Sequence, residues 1–409
     1  MKLSTIADFR NNLFYLIKTD NLKYFFIGKF LADIAKWIQI TTIPWLVYSL
    51  TGSSLQLGFV AFLEYILILF CSPLIGTIIK QYSRKKVIVL INFIFLILFV
   101  SLATLYFLQI IKIWHIYITA TVTGLLTSFD LTTRQVLIGD IVAKEKILNA
   151  LGLNSLLSNI SRFMTPAVAG FIIFISNEGY CFLFNIIVSF FAILSFFYIQ
   201  TENKTENSNQ NVLKKYINDF KQALLFLKQD KSIKYMLLLI AIVGFAMAAP
   251  VVLMPVFAND IYKINSTGFG VLLSSRGLGA LLATFVLISK KYSNNLKNIA
   301  FKFSFTITLF IILFGTLNNI CISFIIFMIL GYCMVLNTGC INSFIQISSS
   351  QENRPILMGF FISCFLGFVP IGNLFAGYLA SKFTPQLACI IIGTISLISI
   401  ILLRKKIIS

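Results

Sequence analysis

The sequence predicts an all-α polytopic membrane protein with twelve transmembrane helices in two six-helix bundles. Three observations carry this expectation. Hydrophobic residues make up 58% of the 409 residues and charged residues only 11%, where soluble domains run near about half and about a quarter. The 42 Phe residues exceed what a soluble core of this size hides. The apolar residues also fall into runs of roughly 20, the length that crosses a bilayer as a helix. Inside lipid every backbone polar group must be satisfied within the chain, which leaves helices as the spanning form. A soluble enzyme, a disordered chain and a fibrous protein are excluded.

Taken in order, the first half holds spans at 22–50, 55–79, 86–108, 113–131, 149–175 and 179–199. The first carries Lys29, Asp33 and Lys36, with Pro44 late in its course. The second opens near Gly58 and ends on Lys80-Gln81-Tyr82-Ser83. The fourth ends on Asp130 and Arg134, and the fifth carries Arg162 and Pro166. The second half holds spans at 234–258, 267–289, 299–317, 320–346, 355–380 and 384–403. Its eighth span contains Arg276 followed by Gly277-Leu278-Gly279, small residues suited to close helix packing. The eleventh repeats that theme with Gly359, Gly367, Gly372 and Gly377, and Pro370 adds a kink. Between the sixes, residues 200–233 start with the polar run TENKTENSNQN. Leu213, Tyr216, Ile217, Phe220, Leu224 and Leu227 then recur at helical spacing among lysines. This is an amphipathic helix with a basic face, suited to an anionic leaflet. The expected organisation is a bundle over 1–199, a cytoplasmic linker over 200–233 and a bundle over 234–409.

An offset of 210 relates Lys80-Gln81-Tyr82-Ser83 to Lys290-Lys291-Tyr292-Ser293 and Gly58 to Gly268. Pro44 and Pro255 fall late in the first and seventh spans. Together these favour two parallel six-helix repeats around a central cavity.

The net charge of +19 is concentrated in short segments between apolar runs. Its partner is membrane lipid and not nucleic acid. With the N-terminus inside, Lys112, Lys263 and Lys382 fall outside, Lys29, Lys36, Arg162 and Arg276 fall within spans, and every other Lys and Arg is cytoplasmic. Both termini are therefore expected in the cytoplasm. The first 20 residues read as a cytoplasmic segment and not as a cleaved signal. The seven cysteines show no CxxC spacing and read as apolar packing residues. His115 is the single histidine, so no metal site is expected, nor any cofactor. No hydrolase, zinc-protease or nucleotide motif is present, and the chain reads as no enzyme.

Gly76-Thr-Ile-Ile-Lys80-Gln-Tyr-Ser-Arg84-Lys85-Lys86 follows the second span. Thr133-Arg134-Gln135-Val136-Leu137 and Asn149-Ala150-Leu151-Gly152-Leu153-Asn154-Ser155 flank the fourth-to-fifth turn. Thr165-Pro166-Ala167-Val168-Ala169-Gly170 sits in the fifth span, and Asn342 to Arg354 joins the tenth to the eleventh. On this ordered set the chain resembles the major facilitator superfamily, in the branch of enterobactin exporters and macrolide efflux proteins. The first stretch is similar to that family's G-x-x-x-D-R-x-G-R-R/K loop, the third to an N-A-x-x-L-N-S stretch, and the fifth-span stretch to an exporter G-P-A-x-x-G. Lys80 replaces the loop's Asp, Ser83 its second Gly, and Thr165 the exporter Gly. In the family the loop Asp helps hold the cytoplasmic side closed by meeting a helix N-terminus. Lys80 there meets the positive end of a helix dipole, so we expect a weakened latch, with Arg84 and either Asp130 or Asp140 as a replacement. The gating set is thus Gly76, Lys80, Arg84, Lys85, Asp130, Arg134 and Asp140.

Ionisable groups inside spans cost about 2.5–3.5 kcal/mol each on insertion scales and need a reason. Lys29, Asp33 and Lys36 share one helix face over about two turns. Asp33 lies roughly 15 Å along the helix from its cytoplasmic start. The trio is either a cavity-lining cluster for substrate or proton, or an ion-pair ladder with Lys29 snorkelling. Glu64 has no charged neighbour in its own helix, and its partner is Lys36 or Arg162. Asp33 and Glu64 are the proton-coupling candidates. Lys36, Arg162, Arg276 and Lys29 are the substrate candidates, since guanidinium forks suit carboxylates and phosphates. Helix-to-helix clamps are the other reading of the two arginines.

The resemblance implies a monomeric secondary transporter of the bacterial cytoplasmic membrane. It would export a small amphipathic or anionic compound, drug- or siderophore-like, in exchange for protons and without ATP. Uptake of an anionic metabolite, lysophospholipid transport and a non-transporting homologue stand beside it as alternatives.

Overall fold

The computed structural model describes residues 20–79, 82–142, 146–200, 230–289, 295–349 and 354–408. The first six helices are α1 (Asp20–Thr51), α2 (Ser54–Ile79), α3 (Arg84–Phe107), α4 (Ile113–Ile141), α5 (Ile147–Ile175) and α6 (Glu178–Phe197). The second six are α7 (Lys231–Val252), α8 (Ser266–Ser289), α9 (Leu296–Thr316), α10 (Ile320–Ser348), α11 (Arg354–Lys382) and α12 (Pro385–Ile408). After α7 the chain continues through a short helical piece, Met254–Val256, and a π-helical turn, Phe257–Ile261. Pro44, Pro166, Pro250 and Pro370 lie inside helices, which membrane helices tolerate because neighbours satisfy the freed backbone. Asp230 caps α7 by accepting from the Ser232 and Ile233 amides, and Asn319 caps α10 through Cys321 and Ile322.

Among the described residues, nine helical segments are long and apolar enough to cross a membrane on length and composition. The other three helices are polar or partly described. α1 carries Lys29, Asp33 and Lys36. α4 carries a run of threonines and serines that hydrogen-bond back to carbonyls one turn earlier, among them Thr119, Thr121, Ser128 and Thr133. α2 contributes the apolar stretch Ser54–Leu69.

The two halves repeat one packing pattern. In the first, α1 packs on α5 and α6, α2 on α4, and α3 on α4 and α6. In the second, α7 packs on α11 and α12, α8 on α10, and α9 on α10 and α12. Two contacts join the halves extensively, α5 with α8 and α2 with α11, and the repeat exchanges them. Both crossings tighten on glycines near the end where α1 passes to α2. There a Cβ on Gly377 would meet the Ser54 carbonyl oxygen at 2.6 Å and the Gly58 Cα at 3.0 Å, and one on Gly170 would meet the Gly270 Cα at 3.0 Å. The crossing glycine of α8 is thus Gly270 and not Gly268, whose space is filled by Ile264. The offset of 210 pairs Gly58 with Gly268 in sequence, while the helix contact falls on Gly270, two residues further on. Of the four eleventh-span glycines, Gly367, Gly372 and Gly377 face neighbouring helices, while Gly359 has open space beside it.

At the α1–α2 end one apolar core fuses both halves, with Ile43, Leu46, Val47 and Leu57 packed alongside Val252, Phe257, Phe269 and Leu272. Trp45 lies 5.4 Å from Phe269, and the Tyr48 hydroxyl donates to Asp260 across the same gap. At the opposite end, where α2 passes to α3, the core divides. Leu22, Phe25, Leu137 and Phe196 form one cluster, and Ile233, Leu296, Ile341 and Ile400 form another.

The expected spans match these helices closely, with one correction. α4 runs to Ile141 and not 131, because Asp130 and Arg134 pair within the helix and let it continue past the apolar run. Lys80, Gln81, Lys290 to Asn294, residues 350–353 and the amphipathic segment 213–228 lie outside the described residues. The linker is described only at its edges.

Candidate functional site

Two of the cavities between the halves share three lining residues. The larger, about 670 Å³, lies toward the α2–α3 end. It is lined chiefly by the first half, with Asn342 and Gln346 from α10. The smaller, about 190 Å³, lies within the fused core and is lined by both halves. Gln39, Ile40 and Glu64 line both. Gln39 is buried, and its side-chain amide donates to Thr123 Oγ1 at 2.9 Å, which ties α1 to α4 at this septum.

The charges of α1 separate into two roles. Lys29 is 2% exposed, so its amine does not snorkel to the surface. It donates to Asp33, to Ser158 Oγ and to the Asn154 carbonyl, the last at 3.0 Å. Ser158 Oγ donates to Asp33 at 2.8 Å. This closed network ties α1 to α5 on the wall of the larger cavity. Asp33 pairs with Lys29 alone among the described residues, and Lys36, one turn further on, turns to Glu64 as its electrostatic neighbour.

Glu64, Arg162 and Arg276 are set by backbone contacts as close as helices allow. Gly124 of α4 faces the Glu64 carbonyl, Gly277 of α8 the Arg162 carbonyl, and Gly331 of α10 the Arg276 carbonyl. A side chain at any of the three would hold the helices apart. Pro166 has no amide to donate to the Arg162 carbonyl one turn earlier, and the next amide, Ala167 N–H, donates to Ser274 Oγ of α8 at 2.9 Å. The proline motif of the fifth span thus serves the α5–α8 crossing. Thr165 beside it is buried.

Arg276 lines the smaller cavity. The Arg162 guanidinium lies over the Trp37 ring at 5.2 Å, its Nε without a hydrogen-bond partner among the described residues. Glu64, Tyr65 and Arg276 line the smaller cavity together. Among the described residues, Lys36, Glu64, Arg162 and Arg276 form no ion pair. Glu64, Lys36 and Arg276 therefore line the two cavities without an ion-pair partner among the described residues, while Arg162 lies over Trp37, and Lys29–Asp33 and Asp130–Arg134 are paired. Such a set can bind an anion and can take up or release a proton at Glu64.

The described members of the expected gating set sit at the α2–α3 end. Arg134 Nε donates to Asp130 at 2.6 Å within α4, and Arg84 approaches Asp140 at 3.6 Å. Lys85 lies over the Phe197 ring and Arg134 over Phe196. All these partners belong to the first half. Gly76 lies in the last turn of α2. Among the described residues, no group of three or more His, Cys, Asp or Glu is placed to hold a metal ion.

Sequence reasoning missed Gln39, Thr123 and Ser158 as site residues. Gln39 and Ile40 continue the Asp33–Lys36 face by one more turn, a signal that was available. Ser158 and Thr123 gave none, since hydroxyls are frequent along α4 and α5.

Comparison with known proteins follows the geometry. The family profile described as transmembrane secretion effector matches residues 4–408. A staphyloferrin A transporter of Staphylococcus aureus is 27% identical over 367 residues, 88% of this chain and 90% of the relative. A macrolide efflux protein A of Streptococcus pyogenes is 19% identical over 268 residues, 65% of this chain and 66% of the relative. Among solved structures, the nucleoside transporter NupG superposes with a TM-score of 0.74 at 13% identity, over 95% of this chain and 99% of that one. A bacterial homologue of the lysosomal transporter Spinster, inward-facing and unoccupied, superposes with a TM-score of 0.67 at 14% identity, over 96% of this chain and 95% of that one.

Proposed function

The chain belongs to the transmembrane secretion effector family, within the major facilitator superfamily of transporters, and we propose that it exports an anionic or amphipathic small molecule in exchange for protons. The observation that carries this reading is the convergence of unpaired Glu64, Lys36 and Arg276 on cavities between the two halves. A carboxylate without a salt bridge, beside cations that are equally free, serves an exchanger: a proton neutralises Glu64 when the cations are vacant, and an anion engages them in turn. Asp33 is engaged by Lys29 and Ser158 and is a structural group in this scheme. The relatives named for staphyloferrin A transport and macrolide efflux support a small organic substrate, and the second of them supports the outward direction.

In this reading the α2–α3 end faces the cytoplasm, which the distribution of Lys and Arg supports. Both termini are then inside. Residues 1–199 and 234–409 rock about the site, joined by 200–233, and the protein works as a monomer in the bacterial cytoplasmic membrane. In this reading the end at which the core divides is the cytoplasmic one.

The test is proton exchange by the purified protein in detergent as anionic and cationic amphiphiles are added. Ligand-linked proton movement is expected with anions and is absent in Glu64→Gln. Movement that persists in Glu64→Gln and disappears in Asp33→Asn contradicts the assignment.

A further inference from the structure

The two cavities differ in chemistry as well as size, and the difference points to the shape of the substrate. The larger one is a polar vestibule, with Asn92, Thr127, Asn154, Ser158, Asn342 and Gln346 on its walls. The smaller one is an apolar chamber, with Ile43, Val60, Met247, Val251, Phe269 and Leu273 on its walls. Among the described residues, Glu64 and Arg276 are the chamber's only charged lining residues. The chamber is embedded in the fused core and covered at the α1–α2 end by the Trp45–Phe269 contact. The septum of Gln39, Ile40 and Glu64 separates it from the vestibule, and the Gln39–Thr123 hydrogen bond fixes that septum from the side.

Resting on the anion-transport reading above, we propose that the site is divided into three levels and takes an amphipathic anion of matching order. An apolar arm enters the chamber, the acid group lies at the septum between Lys36 and Arg276, and a polar remainder stays in the vestibule. Gln39 and Ile40 are then specificity-determining residues, since any arm reaching the chamber passes them. A fully polar polyanion leaves the chamber unused, and a purely apolar compound leaves Lys36 and Arg276 unpartnered. Neither matches the lining as well as a molecule that changes character along its length.

The division has a quantitative signature. Each methylene removed from water strengthens binding by about fourfold, so affinity climbs with arm length until the chamber is full and then levels off. The probe is a homologous series of N-acyl aspartates, from acetyl to decanoyl, titrated calorimetrically into the full-length protein in detergent. Wild type is expected to show a roughly fourfold gain per methylene followed by a plateau. Ala61→Phe and Ala248→Phe place a ring in the chamber from opposite halves. In each, the gain with length should vanish while acetyl-aspartate affinity stays within about twofold. Two such variants guard against one that fails to fold. Affinity independent of arm length in wild type, or a gain that survives in both variants, overturns the divided site and leaves anion transport standing. Failure of every N-acyl aspartate to bind, with cationic amphiphiles binding instead, overturns the anion reading itself.

Discussion

The two ends of the molecule are built from similar helices but oppositely furnished. At the α1–α2 end the contacts between halves are chiefly apolar and close-packed, with Gly58 against Gly377, Gly170 against Gly270 and Trp45 against Phe269, and the Tyr48–Asp260 hydrogen bond adds one polar link. At the α2–α3 end the furnishings are ionic, and each described ion pair closes within the first half, Asp130 with Arg134 and Arg84 with Asp140. Apolar surfaces gain by meeting and small residues let them meet closely, whereas ion pairs satisfied within one half give the other half nothing to grip. The difference explains why the core is single at one end and divided at the other.

The comparison breaks most severely if the glycine crossing is filled. In Gly170→Leu the new side chain collides with the Ser266 carbonyl and the Gly270 backbone, a cost of about 1–3 kcal/mol against the closed arrangement. Spin labels at Leu50 and Lys263, on opposite sides of the seal, should report a longer distance, and transport should fall to near background. Arg276→Gln sharpens the role of the free cations. Charge-assisted hydrogen bonds contribute about 1.5–3 kcal/mol, so anion affinity measured by calorimetry should drop roughly ten- to hundredfold with the fold intact. Tyr48→Phe removes the hydrogen bond to Asp260 at the seal. A loss of about 1 kcal/mol shifts the closed-to-open ratio about fivefold, readable with the same label pair. Arg84→Ala should do least. Its contact with Asp140 is long, the carboxylate is 27% exposed, and partly solvated pairs contribute about 0–1 kcal/mol. The melting temperature should move by no more than a few degrees.

Much of the fold was legible because lipid demands long apolar runs, and all twelve helices fall on the expected runs. The pairs Lys29–Asp33 and Asp130–Arg134 were legible because spacing of four residues places side chains on one helix face. Contacts between distant helices were legible only as alternatives. Glu64 was offered Lys36 or Arg162, Arg84 was offered Asp130 or Asp140, and spacing cannot choose between helices. The Tyr48–Asp260 bond joins residues 212 positions apart, and neither residue type marks a gate by itself. The septum escaped notice because a neutral Gln39 carries no insertion penalty large enough to demand an explanation.

The central claim is that Glu64 couples proton movement to an anion bound beside it. The direct test is transport in proteoliposomes by the Glu64→Gln variant under two driving forces. With a pH gradient, substrate movement should be lost. With labelled substrate exchanging against unlabelled substrate and no net proton transfer, movement should continue at a rate within a few-fold of wild type. Gradient-driven transport that survives in Glu64→Gln would contradict the account.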